Sequence, residues 1–304
     1  MEENKRLMII DGNALVHRAY HALPPLTTKN GKLVNAVYGF LLVFFRAIKD
    51  FRPSYIAATF DLPAPTFRDG IYDGYKAKRP KAPDELYEQL PEVKKILKAM
   101  GIKIYEVSGF EADDTIGTIA NLSQKQQVFP PIENIIVTGD LDTLQLIDDN
   151  TKVFTLRKGV KDAVLYDRNS VMERYGLEPE RIVDFKALRG DPSDNIPGVA
   201  GIGEKTAASL IKEFLTIENL YQAIENNTES SKNISDKIKE KLRTCKEEAF
   251  FSKALAQIRK DAPIEFILED CHLTHFDRAK AEEALKEFEF FTLINRLSDI
   301  FPNV

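Results

Sequence analysis

Three short apolar runs in this chain each lead into an aspartate, and no other feature constrains the fold as strongly. Leu7-Met8-Ile9-Ile10 runs into Asp11, Tyr55 to Phe60 into Asp61, and Asn134-Ile135-Ile136-Val137 into Thr138-Gly139-Asp140. Runs this short, alternating with helical patterns, read as buried strands of a mainly parallel α/β sheet. The carboxyl ends of such strands line a ligand crevice. Asp11, Asp61 and Asp140 therefore converge, although they are far apart in the chain. Ile102 to Val107 reads as a further strand, and Lys152 to Leu156 with Ala163 to Tyr166 as a β-hairpin.

The helical patterns divide the chain. Asn35 to Phe51 is apolar nearly all round and reads as a buried helix, while Glu111 to Leu122 carries acids in its first turn, where the helix dipole favours them. From about residue 169 helices take over: Ser170 to Tyr175, Pro179 to Leu188, Thr206 to Phe214 and Asp236 to Arg259. Residues 226–235, the most polar stretch, read as a mobile loop. The expected division is an α/β core with a basic arch over 1–168, then a helical region over 169–304.

More acids gather at the same sheet edge. Glu111-Ala112-Asp113-Asp114 opens a helix, and Asp140-Leu141-Asp142 and Asp191-Pro192-Ser193-Asp194 are spaced so that both acids of each pair face one pocket. Two like charges 4 Å apart repel by roughly 4 kcal/mol at an effective dielectric of about 20. Protons or cations must relieve that repulsion. All-oxygen donors favour Mg²⁺ or Mn²⁺ over zinc, and two such ions can clamp the attacking and leaving oxygens of a phosphodiester. Any one of these acids is better explained as a helix cap or a solvated loop. Taken together they favour a metal centre.

The net charge of −5 argues superficially against a nucleic-acid partner. If the nine carboxylates named here neutralise metals, however, the remainder is net +4. Residues 66–81 hold five bases against two acids, and residues 232–260 nine against four. The second stretch by itself reads as solvated helix faces. In the first, Arg68, Lys76, Lys78 and Arg79 interleave with Tyr72 and Tyr75. Cations following phosphates with tyrosines stacking on bases, or a basic surface helix packed on its tyrosines, describe that pattern equally well. Lys76 and Arg79 share a face if the stretch is helical. Gly198-Val199-Ala200-Gly201-Ile202-Gly203-Glu204-Lys205-Thr206 precedes a helical pattern. A dinucleotide loop would need a third glycine and a preceding apolar strand. A helix–hairpin–helix-type grip on duplex backbone fits better, through amides that approach phosphate and so position without specifying.

The amino terminus has too few apolar residues for a signal peptide or a membrane span, and Cys245 and Cys271 make neither a metal spacing nor a disulfide framework. A cytoplasmic, reducing setting with no membrane partner is the expectation. His17 and His21 have no third ligand nearby, so packing is the better reading, as it is for Tyr20 and the Phe40, Phe44 and Phe45 group.

The chain resembles the 5′-nuclease (flap endonuclease-like) family, in particular those bacterial 5′→3′ exonuclease domains that precede a polymerase. The resemblance rests on Ile10-Asp11-Gly12-Asn13, His17-Arg18-Ala19-Tyr20-His21-Ala22, Phe60-Asp61 and Thr66-Phe67-Arg68. It continues through Tyr75 to Pro80, Glu111 to Asp114, Thr138 to Asp142 and Gly190 to Gly198, and reaches Phe288-Glu289-Phe290-Phe291-Thr292-Leu293. It implies a PIN-like, mainly parallel sheet flanked by helices, with a C-terminal helix–hairpin–helix-type (H3TH) region. It also implies two-metal hydrolysis at 5′ flaps, nicks and 5′ ends of DNA, primer RNA in duplex included, during replication and repair. On that resemblance Asp61, Glu111 and Asp113 surround one metal with Asp11 nearby. Asp140, Asp142 and Asp191 serve the second, with Asp114 and Asp194 in support. Lys76 and Arg79 would steady the scissile phosphate with Arg18 close by. Arg68, Tyr72, Tyr75, Lys78, Gly198, Gly201, Gly203, Lys205 and Thr206 would meet DNA, and K⁺ would sit at the glycine hairpin. A monomer is expected. No polymerase domain follows Val304, which leaves an excised domain and a stand-alone nuclease both open. The rivals are a PIN-type ribonuclease, against which the hairpin and the Asp191/Asp194 pair argue, a non-catalytic DNA-structure binder, which would lack ligands, and an oxidoreductase, which would need the glycine fingerprint.

Overall fold

The computed structural model describes residues 5–126, 130–158 and 162–301. Six strands form one sheet: β1 (Arg6–Asp11), β2 (Tyr55–Thr59), β3 (Lys103–Tyr105), β4 (Glu133–Thr138), β5 (Thr151–Lys158) and β6 (Asp162–Tyr166). Their spatial order is β3-β2-β1-β4-β5-β6, and all neighbours are parallel except the β5–β6 hairpin. The strand expected over Ile102 to Val107 shortens to three residues. The chain builds outward from β1 through β2 and β3, then crosses back to lay β4 on the other side of β1. Crevices open where the winding reverses, and Asp11 ends β1 at that point.

Between the strands lie α1 (Gly12–Ala22), α2 (Asn35–Phe51), α3 (Phe67–Ile71), α4 (Asp84–Tyr87), α5 (Leu90–Ala99) and α6 (Ala112–Gln124). Side chains alternate along each strand, so each face of the sheet has its own core. Met8 and Ile10 join Phe40 and Phe44 of α2 on one face, while Leu7 and Ile9 join Ile116 and Ile119 of α6 on the other. Apolar residues on both faces explain why these strands read as continuous runs rather than alternating ones.

Beyond the sheet follow α7 (Arg168–Tyr175), α8 (Ile182–Arg189), α9 (Glu204–Phe214), α10 (Ile217–Glu225), α11 (Glu229–Lys232), α12 (Asp236–Thr244), α13 (Lys246–Ala256), α14 (Arg278–Glu287) and α15 (Phe291–Ile300). A separate core, with Phe185, Leu188, Ile211, Leu220 and Leu242, holds α8, α9, α10 and α12 together. The last two helices leave that region. Leu285, Phe288, Leu293 and Leu297 pack with the α2 phenylalanines, so α14 and α15 return to the sheet.

Two expectations fail locally. The helix read over Asp236 to Arg259 is two helices that break at Cys245 and end at Ala256. Lys241 and Arg243 close the first while Glu247 and Glu248 open the second, each the charge that the nearby helix end favours. The loop expected at residues 226–235 contains α11, capped by Thr228, with Ser231 and Ile234 buried. Among the described residues no helix is long and apolar enough to cross a membrane.

Candidate active site

A cleft of about 640 Å³ opens at the carboxyl ends of the strands, with Asp11, Asp61, Glu111, Asp113 and Asp140 in its wall. Asp11 caps α1, accepting from the Ala14 amide at 3.0 Å and from Thr138 Oγ1 at 2.6 Å. Asp61 lies at the start of α6, where the Ala112 amide donates to its carboxylate at 2.7 Å and its own amide donates to Asn13 Oδ1 at 3.1 Å. Glu111 is the residue that caps α6. Asp140 accepts from the Asp142 amide at 2.9 Å; Asp140 lines the cleft, while Asp142 lies behind it with Lys186.

Electrostatics ties these groups together. Burial, then the charges of Asp61 and Asp140, push the Asp11 carboxyl up to about 7 against the pull of Thr138 and Ala14. Burial also raises Asp113 well above the ordinary range, helped by Asp140, Asp11, Glu111 and Asp142. Asp142 is pushed up to about 7 by burial, Asp140 and Asp191, with Lys186 opposing. Asp191 goes the other way. Burial would raise it, but Lys186 and Ser193 outweigh burial and bring it to about 2.

Lys186 is nine-tenths buried, and its Nζ donates to both Asp142 Oδ1 and, at 2.7 Å, Asp191 Oδ2. Lys76 Nζ donates to Glu111 at 2.6 Å, and Arg79 donates to Asp194. Among the described residues no three His, Cys, Asp or Glu side chains close on one point. The donor set is nonetheless all oxygen and crowded with like charge, and it fits hard divalent cations.

The remaining expected residues divide between the cleft and the interior. Asp114 is fully buried, and its two oxygens accept four hydrogen bonds, from Arg68 (2.7 and 2.9 Å), the Arg259 amide (2.8 Å) and the Glu111 amide (3.1 Å). A carboxylate has about four lone-pair sites. All four are taken within the fold, and Asp114 does not line the cleft. Arg68, expected to meet DNA, is 2% exposed and also donates to the Leu255 and Gln257 carbonyls. It is an internal clamp. Tyr75 is likewise buried, packed with Val183, Ile196 and Leu255, with its hydroxyl donating to Glu111 at 3.1 Å, so its ring is not a stacking platform. Tyr72 packs edge-on against Phe251, and its hydroxyl accepts from Asn195. Of the two readings of this segment, packing describes the tyrosines and cleft contact describes Lys76, Lys78 and Arg79.

Lys76 and Arg79 meet by a turn rather than a helix face. The Arg79 amide donates to the Lys76 carbonyl at 2.9 Å, and Lys76 takes a left-handed φ of 54° with its amide on the Asp194 carbonyl. Such a conformation costs on the order of 1–3 kcal/mol and collects at functional sites. Arg18 lines the cleft and donates to the Leu156 carbonyl at 2.5 Å. Asp194 lies at the edge, held by Arg79, Ser193 and Tyr75.

The glycine segment joins α8 to α9 as a helix–hairpin–helix, apart from the acid cleft. Gly198 has φ 64°, and a Cβ there would lie 2.3 Å from the Gly190 nitrogen, so no other residue fits without movement. Gly201, at φ 76°, has its carbonyl held by Lys241 Nζ at 2.7 Å. Gly203 caps α9, whose first turn leaves Lys205 exposed and Thr206 half-buried.

Sequence reasoning missed four residues. Lys186 reads as an ordinary polar position in a helix. Asn13 and Thr138 stand beside recognised aspartates. Tyr87, half exposed at the cleft wall with Lys78 and Pro80, lies past the stretch read as basic.

A parallel sheet with carboxylates at its reversal point, followed by a helix–hairpin–helix, defines the 5′ nuclease class. The chain belongs to the 5′-3′ exonuclease family: the family's N-terminal resolvase-like domain matches residues 6–176 and its C-terminal SAM fold matches residues 177–279. The chain is 42% identical to DNA polymerase I of Bacillus subtilis over 98% of its own length and 33% of the relative's. It is 41% identical to DNA polymerase I of Caldicellulosiruptor bescii over 96% and 33%. It thus spans about a third of the length of these curated relatives. Among solved structures, T5 5′-exonuclease with divalent metal ions (zinc) bound superposes with a TM-score of 0.68 at 20% identity, covering 94% of this chain and 99% of that one. The catalytic core of Rad2 in complex with DNA substrate superposes at 0.54 and 17% identity, covering 98% and 92%. At these identities the likeness is one of fold.

Proposed function

We propose that this chain is a structure-specific 5′→3′ exonuclease and flap endonuclease that hydrolyses phosphodiesters of DNA, and of primer RNA paired to DNA, with two divalent ions, Mg²⁺ or Mn²⁺. The observation that carries the reading is that burial, and then the like charges around them, raise the carboxyls of Asp11, Asp113 and Asp142 above their ordinary range, a state that cations would relieve. Asp61, Glu111 and Asp113, with Asp11 beside them, would hold one ion, and Asp140, Asp142 and Asp191 the second, with Asp194 in support. When bound, such ions supply a nucleophile at neutral pH and stabilise charge on the attacking and leaving oxygens.

The chain's own residues do the rest. Lys76 and Arg79 exchange their carboxylate partners for the scissile phosphate, Arg18 flanks it, and Lys78 meets a neighbouring phosphate. Tyr87 offers the exposed ring on which an unpaired base can stack. Residues 1–168 supply most of the acid centre, and the 169–304 region adds Asp191 and Asp194 to it and grips duplex through the amides around Gly198, Gly201 and Gly203 with Lys205 and Thr206. K⁺ at that hairpin would share the Gly201 carbonyl with Lys241. The chain would act as a cytoplasmic monomer, with a polymerase domain in the parent protein.

Labelled flap, nicked and single-stranded RNA substrates, incubated with Mg²⁺ and then with a chelator, test this reading. Cutting near the base of the 5′ flap, abolished by chelation, is the expected result. Preferential cutting of the RNA, or no cutting, would overturn it.

A further inference from the structure

A second cleft, about 630 Å³, opens beside the acid centre and shares Arg18 and Gly139 with it. It runs between β5, β6 and α7, and neither Lys76 nor Arg79 lines it. Its floor is apolar, made by Leu141, Leu156 and Val164. Arg174 stands at its wall. Among the described residues no carboxylate pairs with this guanidinium. It donates to the Tyr166 hydroxyl and lies over the Tyr166 and Tyr175 rings, 5.7 and 5.2 Å from their centroids. Thr155, 2% exposed, also lines the cleft, and its hydroxyl has no hydrogen-bond partner among the described residues.

An apolar floor, a guanidinium in no ion pair among the described residues and an unsatisfied buried hydroxyl, with the Glu173 carboxylate also in the wall, describe a site for a ligand with one flat part and one anionic part. Leaving a buried hydroxyl unpaired costs about 1–3 kcal/mol. Buried polar groups without partners call for an explanation. A planar base on Leu141, Leu156 and Val164, with a ring nitrogen or carbonyl toward the Thr155 hydroxyl and a phosphate on Arg174, meets each requirement. Continuity through Gly139 says where the ligand comes from. A Cβ at Gly139 would approach the Ala14 carbonyl at 3.1 Å and Arg18 Cβ at 3.6 Å, so a side chain there would crowd the passage between the two clefts.

We infer that this second cleft takes one unpaired nucleotide of the substrate strand, adjacent to the scissile phosphodiester, with its base on the apolar floor and its phosphate on Arg174. The inference rests on the nuclease reading above and deepens it. Capturing that nucleotide fixes the strand's register over the acid centre, so Arg174 acts as a positioning residue for the cleavage point.

The test uses 5′-flap duplexes carrying 2-aminopurine at single positions on either side of the cleavage point, bound to the full chain with Ca²⁺ replacing Mg²⁺. The expected result is one position whose fluorescence changes at least about twofold on binding, as a base moves from stacked DNA to an apolar floor. Arg174→Ala and the cleft-filling Val164→Phe should each lose that signal while retaining binding, and with Mg²⁺ should spread cleavage over neighbouring phosphodiesters. Arg168→Ala, outside the cleft, should keep both signal and cleavage point. A complex in which no position responds, or a response that survives both variants, would overturn the inference and leave the nuclease reading standing. Failure of the wild-type chain to bind the flap at all would overturn both.

Discussion

Asp11 and Asp191 belong to the same acid centre, yet their carboxyls lie on opposite sides of the ordinary aspartate value, at about 7 and about 2. Around Asp11 the backbone does the gathering. Strand ends and the start of α6 bring Asp11, Asp61, Glu111 and Asp113 together, and no lysine or arginine pairs with Asp11 or Asp113 among the described residues. Around Asp191 a helix contributes its own cation, because Lys186 sits between Asp142 and Asp191. Asp11 and Asp113 are left needing charge from outside, while Glu111, held by Lys76, and the Asp142/Asp191 pair, held by Lys186, are already partly neutralised. A metal at Asp11 and Asp113 relieves repulsion. A metal at Glu111 or at Asp142 and Asp191 must compete with an ammonium group.

The sharpest way to break this comparison is Asp113→Asn. It should lower single-turnover flap cleavage by about a hundred- to a thousandfold, the scale of losing one preorganised electrostatic group. It should also raise the melting temperature of the metal-free chain at neutral pH by a few degrees, because it replaces a carboxyl whose ionisation the fold opposes with a neutral amide. A drop in melting temperature would mean the crowding is not repulsive.

Arg68→Ala marks the contrast between an acid that is fully paired and those that are not. It leaves Asp114 buried without its guanidinium and should cost about 3–5 kcal/mol in urea unfolding. A loss below about 1 kcal/mol would return Arg68 to the DNA surface.

Lys186→Met is the direct probe of the Asp142/Asp191 pair. The metal-free chain should lose about 3 kcal/mol. Added Mg²⁺ should restore more stability to this variant than to the wild type, since both Asp142 and Asp191 are then left to the ion. Equal restoration would show that Lys186 and metal do not compete. The smallest effect is expected at Tyr87→Ala, which should weaken flap binding by about 1 kcal/mol, within the range for stacking one base, without changing stability. Unchanged binding would remove Tyr87 from the DNA path.

What the sequence made legible follows the same line. Strand ends were readable because a run apolar on both faces, stopping at an aspartate, has few other interpretations, and the buried helix over Asn35–Phe51 falls at its expected bounds. Residues whose role depends on a distant partner were not readable. Arg68 turns inward because Asp114 and two carbonyls from the end of α13 wait there, 46 to 189 residues away in sequence. Tyr75 follows it into a small core shared with Ile196 and Leu255. Lys186 looks like any lysine on a helix until the fold brings Asp142 to it. The polar run at residues 226–235 becomes one helical turn because Thr228 caps it and Ile234 has a core to enter, and neither fact is visible in composition.

Titration calorimetry with Mn²⁺ tests the central claim most directly, comparing the wild-type chain with Asp113→Asn and Asp142→Asn in the presence of flap DNA. Two bound ions are expected in the wild type, one of them lost in each variant. Mn²⁺ uptake that is the same in all three proteins would contradict the account.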